Sequence, residues 1–122
     1  MTKRIPAAHL KLKRAYDPPA RGDGTRMLVD RLWPRGLKKE DAALDDWFKD
    51  VAPSPALRKW FGHDPERWSE FRRRYVKELG ARADALERIR SLARAGTVTL
   101  VYGARDEEHN HALVLRDVLL AG

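Results

Sequence analysis

The sequence predicts a small α/β domain in which a short, mostly parallel sheet of three or four strands is covered by helices. Two patterns predict the layers. Short runs near residues 9–13, 26–30 and 97–102 have the alternation or β-branching of strands. Helix-period stripes fill the long stretch between the second and third runs and the stretch after the third. Length supplies the third observation: 122 residues suit one domain. No repeat or linker divides the chain, so residues 1–122 are read as a single domain.

His9-Leu10-Lys11-Leu12-Lys13 alternates polar and apolar, the pattern of a half-buried strand near a sheet edge, where lysines discourage pairing with other chains. Asp17 to Gly24 is dense in turn formers and is read as a loop. Arg26 to Asp30 reads as a more buried strand that Pro34 and Gly36 end. Lys39–Lys49 is expected as a short helix with Leu44, Trp47 and Phe48 on its apolar face, stopped by Pro53 and Pro55. Ser54 is placed to cap a helix bearing Leu57, Trp60 and Phe61, which Gly62 closes. Asp64-Pro65 opens the longest helical pattern, with Trp68, Phe71, Tyr75, Leu79, Ala83, Leu86 and Ile89 on one stripe that Gly80 can split. Thr97 to Tyr102 is the clearest strand, Gly103 breaks it, and a last helix is expected from Glu107 to about Leu120 with Asp106 as its cap. Trp47, Trp60 and Trp68 are expected in the core, since each indole can bury about 150–250 Å².

Composition narrows the chemistry. Hydrophobic residues make up 43% and charged residues 35%, which fits a folded domain with a heavily charged surface. The absence of cysteine excludes disulfides, thiolate nucleophiles, Cys-ligated zinc and iron–sulfur clusters. A formal charge of +7 favours anionic partners, and residues 1–39 hold eleven Lys and Arg against three Asp and Glu. No apolar run is long enough to span a bilayer and Met1-Thr2-Lys3-Arg4 leads into no leader-like apolar segment, so a cytoplasmic protein without a membrane partner is expected.

In open α/β sheets ligands bind beyond the carboxyl ends of parallel strands. Two segments fit that position, 30–36 after the second strand and 102–111 after the third. If those strands are parallel neighbours, both segments face one crevice. Arg31, Arg35 and Arg105 would then hold a small anion, phosphorylated or nucleotide-like, with Gly103 letting backbone N–H groups approach it. Asp106 and Asp30 would offset part of that positive charge. Tyr102, Asn110 and His111 would help to bind and orient the ligand, and Asp30 and His109 are the candidates for acid–base chemistry. For Arg31 and Arg35 the competing reading is an ion pair with Asp30 or with the acidic stretch 40–50. No metal is expected: on a helix His109 and His111 would point about 200° apart. No cofactor is expected either, because neither G-x-G-x-x-G nor a P-loop lysine is present. The alternative function is a nucleic-acid-binding module using the basic N-terminal segment and Arg72-Arg73-Arg74, although Glu66, Glu70 and Glu78 lie within reach of that run.

The same two segments, Val29-Asp30-Arg31-Leu32-Trp33-Pro34-Arg35-Gly36 and Leu100 to Ala112, resemble the short YeaO-like members of the DUF488 family. Asp46-Trp47-Phe48, Pro53-Ser54 and Trp60-Phe61-Gly62-His63-Asp64 resemble its middle region, so the likeness covers nearly the whole chain. The resemblance implies no activity, because none is established for that family. Longer relatives carry Cys-x-Glu and Cys-His-Arg in the last loop. Here those positions read Tyr102, Ala104 and Asn110-His111-Ala112, so only His111 is retained and no thiol chemistry carries over.

Overall fold

The computed structural model of the protein describes residues 4–122. Met1, Thr2 and Lys3, which open the stretch read above as lacking a leader, lie outside the described residues. Four strands, β1 (Leu10–Arg14), β2 (Thr25–Leu28), β3 (Asp46–Trp47) and β4 (Val98–Tyr102), form one sheet in the order β1-β4-β2-β3. Every pairing is parallel, and Leu100 of β4 is in register with Leu12 on one side and Met27 on the other. The expected α/β domain is therefore present with four strands, and the last strand in sequence lies inside the sheet. The lysine-bearing first strand is at an edge, as its alternation implied.

The helices are α1 (Lys39–Ala42), α2 (Pro55–Phe61), α3 (Trp68–Gly80), α4 (Ala83–Ala95) and α5 (His111–Ala121). Alternation along the strands sends Leu10, Met27, Val29, Val98, Leu100 and Tyr102 into one core with Phe71, Tyr75 and Leu79 of α3, Leu86 and Ile89 of α4, and Leu115 and Leu119 of α5. Phe71 packs against aromatic neighbours, with centroids 4.3 Å from Phe61 and 5.7 Å from Trp68. A Phe-to-Ala truncation in such a place costs about 3–5 kcal/mol. Ser54 caps α2 through its hydroxyl, which accepts from the Leu57 N–H, and Gly62 closes that helix in the left-handed region, both as read from sequence.

The other face of the sheet combines a small apolar cluster around Leu28 and Val101 with buried polar groups. Asp23 is buried there, 2.7 Å from the Arg26 guanidinium and 3.1 Å from Lys13, and its backbone carbonyl accepts from the Thr99 hydroxyl. Burial pushes the Asp23 carboxyl up, but the Ala20 N–H, Lys13 and Arg26 outweigh it and hold the group below its ordinary value. The crossover from β1 to β2 lies on this face without an α-helix. It can lie so close because Gly24, at φ 61°, has no Cβ to strike the Thr97 carbonyl.

Three expectations need correction. Residues 39–49 do not form one helix. A single turn ends at Ala43, which is left-handed at φ 46°, and Asp46–Trp47 then pairs with β2 as a strand. Contacts distant in sequence win over the local pattern: Arg26 donates to the Ala42 carbonyl, the Asp45 carboxylate accepts from the Arg26 N–H, and the Trp47 indole N–H donates to the Asp30 carbonyl. The last helix begins at His111, capped by Asn110, whereas Asp106 caps only the turn before it by accepting from the Glu108 and His109 N–H groups. The tryptophans flank the core and do not centre it. Trp60 and Trp68 pack half-buried against the main cluster, and Trp33 and Trp47 pack edge-to-face, 5.4 Å apart, in the smaller cluster on the other face.

Candidate functional site

All strands run parallel, so the segments after β1, β2 and β4 leave the same end of the sheet. There they border a cavity of about 840 Å³, which α2 and the segments flanking it close on the far side. The 30–36 and 102–111 segments do share this one crevice. Their join is specific: Asp30 Oδ2 accepts from the Gly103 N–H at 2.9 Å. A Cβ at Gly103 would come within 3.0 Å of that carboxylate oxygen and 3.5 Å of the Pro34 ring. Gly103 thus permits close approach, as expected, but of Asp30 and Pro34, and its N–H is spent on Asp30.

Three histidines stand on the wall, and two of them, His109 and His111, come from the last strand-end segment. His109 Nδ1 lies 2.9 Å from Asp106 Oδ2; since a carboxylate only accepts, Nδ1 carries the proton and Nε2 is the open ring nitrogen. The ring stands edge-on to Trp68, centroids 5.4 Å apart. Hydrogen bonds from Glu108 and the pairing with His109 hold the Asp106 carboxyl below its ordinary value. His111 Nε2 donates to the Val29 carbonyl at 3.0 Å and lies 3.2 Å from Asp30 Oδ1, a buried oxygen with no hydrogen bond of its own. Behind it the Tyr75 hydroxyl donates to the Val51 carbonyl, and burial, with Glu78 and Asp30 nearby, pushes that phenol well above its ordinary value. The helical geometry that set His109 and His111 on opposite faces does not apply, because residues 106–110 precede the helix. Each imidazole has a different carboxylate. Among the described residues no group of three or more His, Cys, Asp or Glu side chains is placed to hold a metal ion.

The cations are arranged differently from the expectation. Arg31 lines the crevice and pairs with no carboxylate; its guanidinium donates to the carbonyls of Ala52 and Pro53 at 3.4 and 3.3 Å. Arg35 lines it too, and its guanidinium makes no hydrogen bond or ion pair with a described residue. Asp30 and Asp106 form no ion pair with these arginines, and each lies beside a histidine. Arg105 and Asp106 lie off the cavity wall. So does Tyr102, which alternation turns into the helix-covered core with Val98 and Leu100, where burial raises its phenol. Asn110 borders the cavity, with its amide engaged in capping the helix: Oδ1 accepts from the Leu113 N–H and Nδ2 donates to the Asp106 carbonyl.

Sequence reasoning missed Arg58, Lys59 and His63, which α2 and its C-terminal turn present to the crevice. Like Arg35, Arg58 and Lys59 have no hydrogen bond or ion pair to a described residue. Arg58 and Lys59 follow directly on the capped start of α2, but only the crossover that carries this helix over the strand ends shows which way they face.

The family model described as "Inactive DUF488-N3 subclade" matches residues 9–122. The chain belongs to the DUF488 family. Among its relatives, Uncharacterized protein YeaO of Escherichia coli K12 is 45% identical, over 91% of this chain and 96% of its own length. Uncharacterized protein Rv3073c of Mycobacterium tuberculosis H37Rv is 44% identical, over 90% of this chain and 92% of its own. No solved structure matches. The DUF488 match takes in both strand-end segments and α2, hence the whole crevice. Among the described residues no helix is long and apolar enough to cross a membrane.

Proposed function

We propose that this domain is a cytoplasmic binder of a small anionic ligand, held in the strand-end crevice, and that binding rather than bond-making is its task. One observation carries the reading. Arg35, Arg58 and Lys59 face a single cavity and, among the described residues, make no side-chain hydrogen bond or ion pair, while the one carboxylate that the described residues place on its wall, Asp30, accepts from Gly103 and lies beside His111. Unpaired cations around a concave site are an electrostatic deficit that an anion corrects, and each charge-assisted hydrogen bond formed there is stronger than a neutral one. Catalysis is less well supported, because one oxygen of Asp30 is held by the Gly103 N–H and no cysteine exists to serve as nucleophile.

Binding along a nucleic-acid backbone has less support than a small ligand. Arg73 and Arg74 share Glu70, and Arg72 pairs with Asp117, so every arginine of the most basic run already has a carboxylate partner. The test is a thermal-shift titration of the full chain with inorganic phosphate, sugar phosphates and nucleotides. A ligand at a hundredfold excess over its Kd adds about 2.7 kcal/mol, a shift of several degrees for a domain this size. That shift should vanish in Arg35→Ala and Arg58→Ala. No shift across the panel, or a shift that both variants retain, would remove the reading.

A further inference from the structure

The crevice has a second unusual property besides its free cations. Four large hydrophobic side chains are exposed among the described residues, and two of them, Tyr16 at 45% and Leu32 at 59%, stand on its rim. The Tyr16 ring is held in place. The Tyr16 hydroxyl donates to the Arg35 carbonyl at 2.8 Å, and the Arg14 guanidinium lies 5.4 Å from the ring centre. The ring is therefore fixed beside the residue that carries one of the unpaired guanidiniums. Next to Leu32, the Trp33 indole is locked by its N–H to the Leu37 carbonyl at 2.7 Å and by its edge contact with Trp47. Rigid apolar surface of this kind gives contact area with little loss of side-chain freedom on binding.

The hydrogen-bonding inventory narrows the ligand further. The uncommitted charged side chains on the wall, Arg35, Arg58 and Lys59, can only donate, and the one carboxylate there already accepts from the Gly103 N–H. A polyol would press its own hydroxyl donors against rings and aliphatic surface with few acceptors to meet them, which is costly. Inorganic phosphate would satisfy the cations and leave the rim in water. A flat, weakly polar ring bearing an acceptor-rich anion uses both halves of the site.

We propose that the crevice selects an anion carried on a planar ring, an aryl or nucleoside phosphate ester, with the ring laid against Tyr16 and Leu32 and the phosphate met by Arg35, Arg58 and Lys59. This rests on the reading of the crevice as an anion site and adds its selectivity. Isothermal titration calorimetry of the full chain at fixed ionic strength tests it with four probes: phenyl phosphate, adenosine 5′-monophosphate, glycerol 3-phosphate and inorganic phosphate. At least one ring-bearing ester should bind about tenfold or more tightly than both ringless anions, the usual worth of ring stacking. Whichever of the two binds more tightly identifies the source as a nucleotide or a simpler aryl ester. Tyr16→Ala and Leu32→Ser, both at exposed positions, should erase most of that advantage, Leu32→Ser leaving glycerol 3-phosphate unchanged, and Tyr16→Phe, which loses the hydrogen bond to Arg35 but keeps the ring, should retain the advantage, with circular dichroism confirming the fold. If the ringless anions bind as tightly as the ring-bearing ones, or Tyr16→Ala and Leu32→Ser keep the advantage, the ring selectivity is wrong and the anion site stands. If no probe binds, the anion site falls with it.

Discussion

The molecule holds two concentrations of basic side chains, and they differ in what lies beside them. On α3 three consecutive arginines look like an interaction surface in the sequence, yet Arg73 and Arg74 close on Glu70 at 2.6 and 2.7 Å and Arg72 reaches Asp117 of α5 at 3.0 Å. At the strand ends Arg35, Arg58 and Lys59 are scattered over 25 residues of sequence, draw no attention as a run, and form no ion pair among the described residues. Charge density along a chain says little about availability. What distinguishes a receptive cation is the absence of a counter-charge at its own position in the fold.

The sharpest way to break this comparison is to neutralise each set in turn. Arg35→Gln, Arg58→Gln and Lys59→Gln combined should reduce affinity for a phosphate ester by about a hundredfold or more, since a hydrogen bond to a charged group contributes about 1.5–3 kcal/mol. The same change at Arg72, Arg73 and Arg74 should leave it within roughly twofold, as solvent-screened charges away from the cavity act weakly. Equal losses in calorimetry would mean that the whole basic surface matters and the crevice does not. A smaller effect separates committed from free groups by stability. Asp30→Ala strands the Gly103 N–H and should lower the free energy of urea unfolding by about 1–3 kcal/mol. Arg58→Ala should change it by less than about 0.5 kcal/mol. Similar values for the two would show that Asp30 does not hold the two segments together. The smallest effect concerns Glu70, whose carboxyl the two arginines draw down to about 2 from an ordinary 4.5. Its contribution to stability is present above pH 4.5 and disappears only as pH falls toward 2. A carbon-detected NMR titration with a midpoint near 4.5 would contradict the pairing. Glu70→Gln should also raise low-salt affinity for DNA by freeing Arg73 and Arg74.

Local signals in the chain described the fold well where structure is decided locally. Ser54, Gly62, Gly80 and the β-branched run at 97–102 mark boundaries whose causes lie within a few residues, and each feature is found where those residues put it. The 43–49 segment was illegible because its conformation depends on Arg26 and Asp30, well upstream. Asp106 and Asn110 are both good capping residues, and sequence alone does not say which of them starts the helix and which shapes the turn before it. At the site, Asp30, Arg31, Arg35, Gly103, His109 and His111 could be named from their positions after strands. Arg58, Lys59 and Tyr16 could not, because they arrive from α2 and from the end of β1, and strand order was needed to bring those to the same place.

That order also bears on how the protein is made. β4 separates β1 from β2, so residues 10–14 have no strand partner until residues 98–102 exist, and β2 and β3 alone share only two paired positions. Translation at about 5–20 residues per second keeps the first strand waiting for several seconds. The growing chain carries an exposed strand and an unfilled apolar core for most of its synthesis, and the seam closes in one late, long-range step of the kind that folds slowly. A nascent chain arrested before residue 98 lacks the centre of its sheet, and with it the Asp30–Gly103 clasp on which the crevice depends.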